Sequence, residues 1–127
     1  ISPSHPVDLI NKFQKAEHFK GPKLFINLSP CPPGWSVDAS SSVKFAKLAI
    51  DTGIWPLKEA IHGDLRHTFI PGRLKPVEEY LRGQGRFAHL FKPVRQEAAL
   101  QKIQEMVDRY WKEVREKESP PSGVNKQ

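Results

Sequence analysis

The stretch GPKLFINLSPCPPGW, residues 21–35, decides how the rest of the chain is interpreted. Its first half is apolar, follows a Gly-Pro turn and stops at Pro30, which is typical of a buried strand over residues 23–29. The prolines around Cys31 fix backbone φ angles and remove N–H donors, while Gly34 lets the chain turn sharply. The pattern predicts a stiff turn that holds one thiol at the carboxyl end of a sheet strand, where open α/β sheets bind ligands.

Helical periodicity flanks this stretch on both sides. Before it, Pro6 is placed to open a helix that Ser4 caps and Gly21 ends. After it, a helix that begins in a serine cluster is expected to stop at Gly53. The apolar residues that recur at helical spacing, and that should face the core, are Val7, Ile10, Phe13 and Ala16 in the first helix and Val43, Ala46 and Ile50 in the second. Helix, tight turn, strand and helix in succession predict an α/β fold.

The second half of the chain predicts a hairpin and two further helices. The segments on either side of residues 62–65 are expected to pair as a small β-hairpin. Pro76 opens a short helix that a glycine closes. The last helix is long and one-sided, with an apolar stripe formed by Leu100, Ile103, Val107, Tyr110 and Val114. One domain is therefore expected over residues 1–117, followed by a disordered tail over residues 118–127.

The composition bounds the class of protein. The chain has 127 residues, a net charge of +6 and 38% hydrophobic residues, which fits one soluble domain. The basic residues form no block of five and do not alternate with aromatic residues, so nucleic-acid binding is not expected. No apolar run is long enough to span a membrane, and no signal peptide opens the chain. The single cysteine cannot form an intramolecular disulfide, and we predict a cytoplasmic protein. Because the first residue is not Met, we expect a processed chain or a piece of a longer one.

Cys31 is the strongest candidate for a functional side chain, and it has two interpretations. A lone cysteine is often a small, buried, inert residue, whereas this rigid mounting suits a sulfur held at a fixed point. One thiol cannot complete a metal site, so a metal at Cys31 would need ligands from outside the chain. The five histidines lack a strong ligand spacing and are expected at the surface or at helix caps: His5, His18, His62, His67 and His89. No phosphate loop or nucleophile elbow is present, so the sequence contains no complete catalytic constellation.

The order of three sequence blocks points to a family. GPKLFINLSPCPPGW, AKLAIDTGIWPLKEA and LKPVEEYLRGQGRFAHL, followed by a long terminal helix, resemble the carboxyl-terminal part of the β subunit of 2-oxoacid:ferredoxin oxidoreductases of the pyruvate synthase type. The resemblance covers residues 6–117. It implies an α/β fold, the carboxyl-terminal part of an open parallel-sheet domain that binds thiamine diphosphate and Mg²⁺. It also implies an enzyme that oxidatively decarboxylates a 2-oxoacid and passes electrons through a [4Fe–4S] cluster to ferredoxin, in most members with coenzyme A as acyl acceptor.

The same resemblance implies a role for Cys31. In the family, a proline–cysteine turn supplies the fourth cysteine of the cluster, so Cys31 is expected to be its metal ligand and the one cofactor-binding residue here. The other three cysteines, and the Gly-Asp-Gly motif for diphosphate and Mg²⁺, belong to the amino-terminal part of the subunit. HGDLRH, residues 62–67, lacks the second glycine and lies too late in the chain. No catalytic or thiamine-contacting residue is therefore expected, and the chain should not be catalytic alone.

The resemblance also implies binding partners, and it leaves open both the substrate and a second class of function. The expected partners are the rest of the β subunit, the other subunits, ferredoxin, the 2-oxoacid and coenzyme A, with neither nucleic acid nor a membrane. Pyruvate is the default substrate, and the alternative substrates are oxalate, branched-chain 2-oxoacids and aryl 2-oxoacids. Oxidation of oxalate would not need coenzyme A, because its product is carbon dioxide. A different class of function is a non-catalytic, basic α/β interaction module in which Cys31 is a buried structural thiol. In the oxidoreductase, the basic surface would steer an acidic ferredoxin.

Overall fold

The computed structural model describes residues 1–118 of the chain. Its helices and strands are α1 (Pro6–Glu17), α2 (Pro32–Trp35), α3 (Ser42–Asp51), β1 (Leu57–Ile61), β2 (Asp64–Phe69), α4 (Val77–Arg82) and α5 (Glu97–Glu118). Two 3-10 turns, Ala39–Ser41 and Gly85–Leu90, precede α3 and follow α4. The tail predicted over residues 118–127 lies outside the described residues, except for Glu118 at the end of α5. Over residues 1–118, no helix is long and apolar enough to cross a membrane.

The core lies where α3, α4 and α5 pack together. Its buried apolar residues are Phe45, Leu48 and Ala49 of α3, Val77, Tyr80 and Leu81 of α4, Leu100 of α5, and Leu28 and Leu90 of the connecting segments. The side-chain oxygen of Gln104 in α5 accepts a hydrogen bond from the backbone N–H of Val77 at 2.9 Å. It thereby caps α4, whose first N–H groups have no partner within the helix. The long, one-sided terminal helix is confirmed, and its buried residues are Leu100, Trp111 and Val114.

Gly53 ends α3 and joins it to α5. Its φ of +77° lies in the left-handed region that favours glycine, as the predicted helix stop requires. The indole N–H of Trp111 donates a hydrogen bond to the carbonyl oxygen of Gly53 at 2.9 Å. A Cβ at this position would overlap the Trp111 ring and approach Leu74 closely. The burial of Trp111, the largest fully buried side chain, therefore depends on the absence of a side chain at residue 53.

The face of α3 that meets the core differs in part from the predicted one. Ala46 and Ile50 are buried as expected, but Val43 is 64% exposed. Phe45, which lies in the centre of the core, follows Val43 by two residues. Two residues are roughly 200° of helical rotation, so the two side chains point in nearly opposite directions. Burial of Phe45 against α4 therefore leaves Val43 in solvent.

The predicted Ser4 cap of α1 is wrong, whereas α3 begins in the serine cluster as expected. The N-cap of α1 is His5, and the Ser4 hydroxyl lies 3.1 Å from His5 Nδ1 instead of capping the helix. The N-cap of α3 is Ser41, which makes no side-chain cap hydrogen bond. The cap in this region is Asp38, whose carboxylate accepts a hydrogen bond from the Ser40 N–H at 2.8 Å and begins the 3-10 turn. A carboxylate is as good a cap as a serine hydroxyl, and composition alone does not choose between them.

The predicted hairpin is confirmed. β1 and β2 pair antiparallel, with Ile61 opposite Asp64 next to the turn. The two turn residues, His62 and Gly63, have φ values of +52° and +86°. Positive φ at both positions is what a two-residue turn needs to match the right-handed twist of its strands.

His67 anchors this hairpin to the end of α5. The imidazole is 3% exposed; its Nδ1 lies 2.6 Å from Glu118 Oε1 and its Nε2 lies 2.6 Å from the Tyr110 hydroxyl. The backbone N–H of His67 also donates to Glu118 Oε2 at 2.8 Å. The expected surface or capping role is therefore wrong for His67, a buried side chain whose two nitrogens are both satisfied within the fold.

The Glu118 carboxylate should make the stability of this anchor depend on pH. Its pKa lies below the usual value, chiefly because the His67 backbone N–H donates to it. A lowered pKa stabilises the fold above the ordinary value of 4.5, and this stabilisation is lost as the pH falls through the folded-state pKa. We expect Glu118→Gln to lower the free energy of unfolding at about pH 7 and the difference from the native chain to shrink toward about pH 3. Urea unfolding at both pH values measures this, with the exposed Glu116→Gln as control; an unchanged difference at low pH would contradict it.

The strand predicted over residues 23–29 is wrong for the described part of the chain. There the sheet consists of β1 and β2, and residues 23–29 have no regular secondary structure. Leu24 and Ile26 are 84% and 63% exposed, while Leu28 reaches the core. The reason is that a strand exists through hydrogen bonds to neighbouring strands, and residues 1–118 place none beside this segment. The open parallel sheet is accordingly not formed within residues 1–118.

Helix α1 turns its predicted apolar stripe outward. Val7, Ile10 and Phe13 are 70%, 50% and 44% exposed, and the buried residue of the helix is Lys12. The Lys12 ammonium lies 2.8 Å from the Asp8 carboxylate, and both side chains are largely shielded from water. The helical spacing is confirmed, but the burial of the stripe is not. An i,i+4 ion pair and Pro6 favour the helix locally, whereas burial of one face needs a layer that covers it.

Candidate functional site

Cys31 lies at the surface, immediately before α2. Its carbonyl oxygen accepts a hydrogen bond from the Trp35 N–H at 2.8 Å. The turn ends at Ser36, whose φ is +52° and whose N–H donates to the Pro33 carbonyl at 3.3 Å. The predicted stiff turn is therefore present. The thiol that it carries is exposed, which contradicts the interpretation of Cys31 as a buried structural residue.

Gly34 leaves space beside the sulfur. A Cβ on Gly34 would lie 3.2 Å from Cys31 Sγ, so any other residue here would crowd the thiol. The absence of a side chain gives a bulky group room to approach the sulfur from this side. The turn thus combines a fixed backbone with an open approach to its thiol.

A cation stacked on aromatic rings holds the turn in place. The guanidinium carbon of Arg86 lies 3.8 Å from the centroid of the Trp35 ring and 4.6 Å from that of Phe87. The Tyr80 ring meets Trp35 edge-on, with centroids 6.2 Å apart. An exposed cation–π contact contributes about 0.5–1 kcal/mol. Trp35 is therefore held by both a cation and a buried aromatic ring, and the turn that begins at Cys31 is held with it.

Arg86 is itself fixed by hydrogen bonds. Its Nε donates to Gln84 Oε1 at 2.8 Å, and its Nη2 donates to the Tyr80 hydroxyl at 3.0 Å. Gln84 is 1% exposed and its amide donates to the Tyr80 carbonyl. Burial raises the pKa of Tyr80, which keeps the phenol protonated at neutral pH. A planar guanidinium with two fixed donors has one preferred orientation, so the stack on Trp35 is well defined.

The segment RGQGRF, residues 82–87, matches no phosphate-binding pattern in the sequence, and sequence reasoning missed its structural role. Both of its glycines stand where other elements come close: a Cβ at Gly83 would collide with the Phe45 ring, and one at Gly85 would collide with Ser36. The Gly85 N–H also donates to the Ser36 carbonyl at 3.2 Å. The paired glycines were the available signal that this segment lies against another part of the chain.

Removing the Arg86 stack should loosen the Cys31 turn. We expect Arg86→Ala to speed amide hydrogen exchange at Trp35 about tenfold, because two cation–π contacts are worth about 1.4 kcal/mol together. Arg86→Lys should have a smaller effect, since the charge stays but the planar fork is lost. Arg82→Ala is the matched control, because Arg82 stacks on Phe91 instead, 5.4 Å from its centroid. Equal exchange rates in Arg86→Ala and the native chain would contradict the role of this stack.

The other candidate ligands do not come together. His67 is buried against Glu118 and Tyr110, and His62 lies in the hairpin turn against Phe19, so the two histidines do not face each other. Among residues 1–118, no three His, Cys, Asp or Glu side chains are placed to hold a metal ion. An iron–sulfur cluster takes about four cysteine ligands. Cys31 therefore fits one ligand of a shared site, not a closed site within the described chain.

Comparisons with known proteins identify relatives of the chain. The chain is 43% identical over 112 residues to the pyruvate synthase subunit PorB of Methanothermobacter marburgensis, covering 88% of the chain and 37% of that subunit. It is 41% identical over 108 residues to PorB of Thermotoga maritima, covering 85% of the chain and 33% of the subunit. It is 36% identical over 93 residues to the ketoisovalerate oxidoreductase subunit VorB of Pyrococcus horikoshii, covering 72% of the chain and 30% of the subunit. No family model matches the chain.

These relatives place the chain in a class of oxidoreductase subunits. The chain belongs to the family of 2-oxoacid oxidoreductase β subunits of the pyruvate synthase type, and it matches their carboxyl-terminal part. It spans about a third of the length of the curated relatives that it matches. The resemblance stated from the three sequence blocks is confirmed.

Proposed function

We propose that the chain is the carboxyl-terminal part of a subunit of a thiamine diphosphate-dependent 2-oxoacid:ferredoxin oxidoreductase, in which Cys31 supplies one of the four thiolates of a [4Fe–4S] cluster. The observation that carries the proposal is the Cys31 turn. It presents an exposed thiol on a clamped backbone, in a chain that is 43% identical over 112 residues to a pyruvate synthase subunit. The non-catalytic interaction module is the weaker candidate, because it needs Cys31 to be buried.

The residues of the turn fit the demands of one cluster ligand. A cluster bound there would take up and release one electron at a time. Cys31 would hold the iron through its thiolate, Gly34 would leave room for the cluster, and the Arg86–Trp35 stack would keep the sulfur at one position. If the Cys31 sulfur stays at one position, transfer of an electron to or from the cluster requires little rearrangement of this ligand. Contacts around a ligand, here the Arg86–Trp35 stack, also help to tune the reduction potential of a cluster.

The thiamine site and the rest of the cluster site belong, in this proposal, to the part of the subunit that the chain does not span. Residues 62–67 resemble a Gly-Asp-Gly motif more than any other segment of the sequence does. They include the hairpin turn and the first residues of β2, among them the buried His67. They do not fit a diphosphate and Mg²⁺ site. We therefore derive no catalytic step from residues of this chain, and the three remaining cysteines are expected on the same missing part.

Pyruvate is the proposed substrate, because the pyruvate synthase relatives are 41–43% identical to the chain in the two cases described. A branched-chain 2-oxoacid is the second candidate, since the VorB relative is 36% identical over 93 residues. Ferredoxin as electron acceptor, coenzyme A as acyl acceptor and a cytoplasmic location belong to the same proposal. Ferredoxin reduction by the assembled enzyme with pyruvate or with 3-methyl-2-oxobutanoate distinguishes the two substrates.

The proposal is tested by the iron and acid-labile sulfide content of the assembled enzyme that carries the native or the Cys31→Ser chain. Loss of about one four-iron cluster in the variant supports it. Unchanged iron refutes the role of Cys31.

A further inference from the structure

The turn that carries Cys31 is poor in backbone N–H donors. The two residues that follow the cysteine, Pro32 and Pro33, have no N–H group. Three later N–H groups already donate to carbonyl oxygens of the turn itself, in the bonds from Trp35 to Cys31 (2.8 Å), from Ser36 to Pro33 (3.3 Å) and from Val37 to Pro32 (3.1 Å). Residues 32–37 therefore leave one N–H group, that of Gly34, without a carbonyl partner in residues 1–118.

Of the two prolines, Pro33 occupies the position that matters for the sulfur. Cys31 is the N-cap of α2, and a side chain at an N-cap accepts a hydrogen bond from the N–H of the second or third helical residue. Pro33 is the second residue and Gly34 is the third, whereas Pro32 is the first and does not bond to a cap side chain. The Cys31 side chain makes no cap hydrogen bond within residues 1–118. Pro33 thus removes one of the two N–H groups that are placed to reach Cys31 Sγ.

The number of N–H groups at a thiolate matters for an iron–sulfur cluster. Hydrogen bonds to the sulfurs are among the features that set its reduction potential. Reduction adds negative charge to a cluster, and an N–H group directs the positive end of its dipole at the sulfur. Each such bond therefore favours the reduced state and raises the potential. A turn that withholds an N–H group has the opposite effect.

We infer that Pro33 tunes the cluster through Cys31: it withholds an N–H group from the thiolate and so keeps the reduction potential low. The inference rests on the proposed function, because it needs a cluster bound at Cys31. It adds to that function a role for a residue that carries no ligand atom. A lower potential makes the reduced cluster a stronger electron donor to its acceptor.

Stiffness of the turn is the other role open to Pro33, and Pro32 allows the two roles to be separated. Both prolines fix one φ angle, so replacing either one relaxes the turn. Pro33 is exposed and Pro32 is half-buried, and neither belongs to the core. Alanine restores an N–H group at either position. At residue 33 the new N–H is placed to bond to Cys31 Sγ, and at residue 32 it is not.

The experiment is a redox titration of the assembled enzyme that carries the native, the Pro33→Ala or the Pro32→Ala chain. It follows the cluster signal that Cys31→Ser removes. We expect Pro33→Ala to increase the ratio of reduced to oxidised cluster at a fixed potential about tenfold, which is about 59 mV for one electron. Pro32→Ala should change this ratio by less than about twofold. Pro33→Gly supplies the same N–H and carries the same expectation if the alanine variant does not assemble.

Two results of the titration would overturn the inference. One is an equal ratio in the native and Pro33→Ala enzymes, since the restored N–H would then have no effect on the cluster. The other is an equal increase in Pro33→Ala and Pro32→Ala, because the effect would then belong to the stiffness that the two prolines share.

Deuterium exchange gives a second measurement on the same three enzymes. After transfer into D₂O, a deuteron in an N–D···S bond couples magnetically to the unpaired electron of the reduced cluster. We expect Pro33→Ala to show an additional coupling of this kind and Pro32→Ala to show none; a native-like spectrum of Pro33→Ala would contradict the inference.

The iron content of Cys31→Ser reports on the proposed function separately. If that variant keeps all its iron, the proposed function fails and the inference fails with it. If it loses a cluster while Pro33→Ala titrates like the native enzyme, only the role of Pro33 is refuted.

Discussion

Replacing Cys31 with serine is expected to remove about four iron atoms and four acid-labile sulfides per subunit from the assembled oxidoreductase. A hydroxyl is a much poorer cluster ligand than a thiolate, and the stiff turn does not let another side chain take its place. Because no thiamine-contacting residue is proposed in this chain, thiamine diphosphate should stay bound. Electron delivery to ferredoxin should fall to a small fraction of the native rate, while the complex still assembles.

The control for this variant lies in the same turn. Pro33→Ala relaxes one fixed φ angle but leaves the thiol in place, so we expect it to retain its iron. Metal analysis, sulfide analysis and the spectrum of the reduced cluster are compared for the native, Cys31→Ser and Pro33→Ala complexes. Full iron in Cys31→Ser would show that the cluster has other ligands, and Cys31 would then be an ordinary exposed thiol.

Replacing Gly53 with alanine is expected to destabilise the fold by about 2–5 kcal/mol. Roughly 1–2 kcal/mol arises from holding a residue with a Cβ in the left-handed region. A further amount, about 1–3 kcal/mol, arises from overpacking, because the new methyl group overlaps the buried Trp111 ring. Displacement of that ring would also break the hydrogen bond from the indole N–H to the Gly53 carbonyl.

Gly63→Ala separates these two contributions. Gly63 also has a positive φ, +86°, but nothing lies within 4 Å of a Cβ built there. We therefore expect Gly63→Ala to lower the free energy of unfolding by the backbone cost alone, about 1–2 kcal/mol. Urea unfolding followed by tryptophan fluorescence measures both variants. Equal losses would mean that the contact between residue 53 and Trp111 is unimportant.

Local chemistry made several elements predictable from the sequence. The Gly53 stop, the turn at residues 62–65, the helix opened by Pro76 and the terminal stripe from Leu100 all depend on neighbours within a few residues. Periodicity also found α1. It did not find which face of α1 is buried, because that depends on which layer covers the helix.

Features that depend on distant residues were not predictable in this way. Arg86 reaches Trp35 across about fifty residues of sequence, and His67 reaches Glu118 across a similar distance. Neither pair leaves a pattern in composition or spacing. The strand expected over residues 23–29 failed for the same reason, since its identity depends on a neighbouring strand. The proposed role of Cys31 as a cluster ligand likewise came from the family resemblance, and geometry alone provides only a well-held, exposed thiol.

The exposed segment at residues 23–28 has a consequence for residues 1–118 prepared on their own. Leu24 and Ile26 are 84% and 63% exposed on a backbone with no neighbouring strand within residues 1–118, and such segments favour aggregation. The exposed Lys20 and Lys23 lie close to them in sequence and are gatekeepers of the kind that slow misassembly. The charge of these lysines should therefore slow self-association of the chain when it is prepared alone.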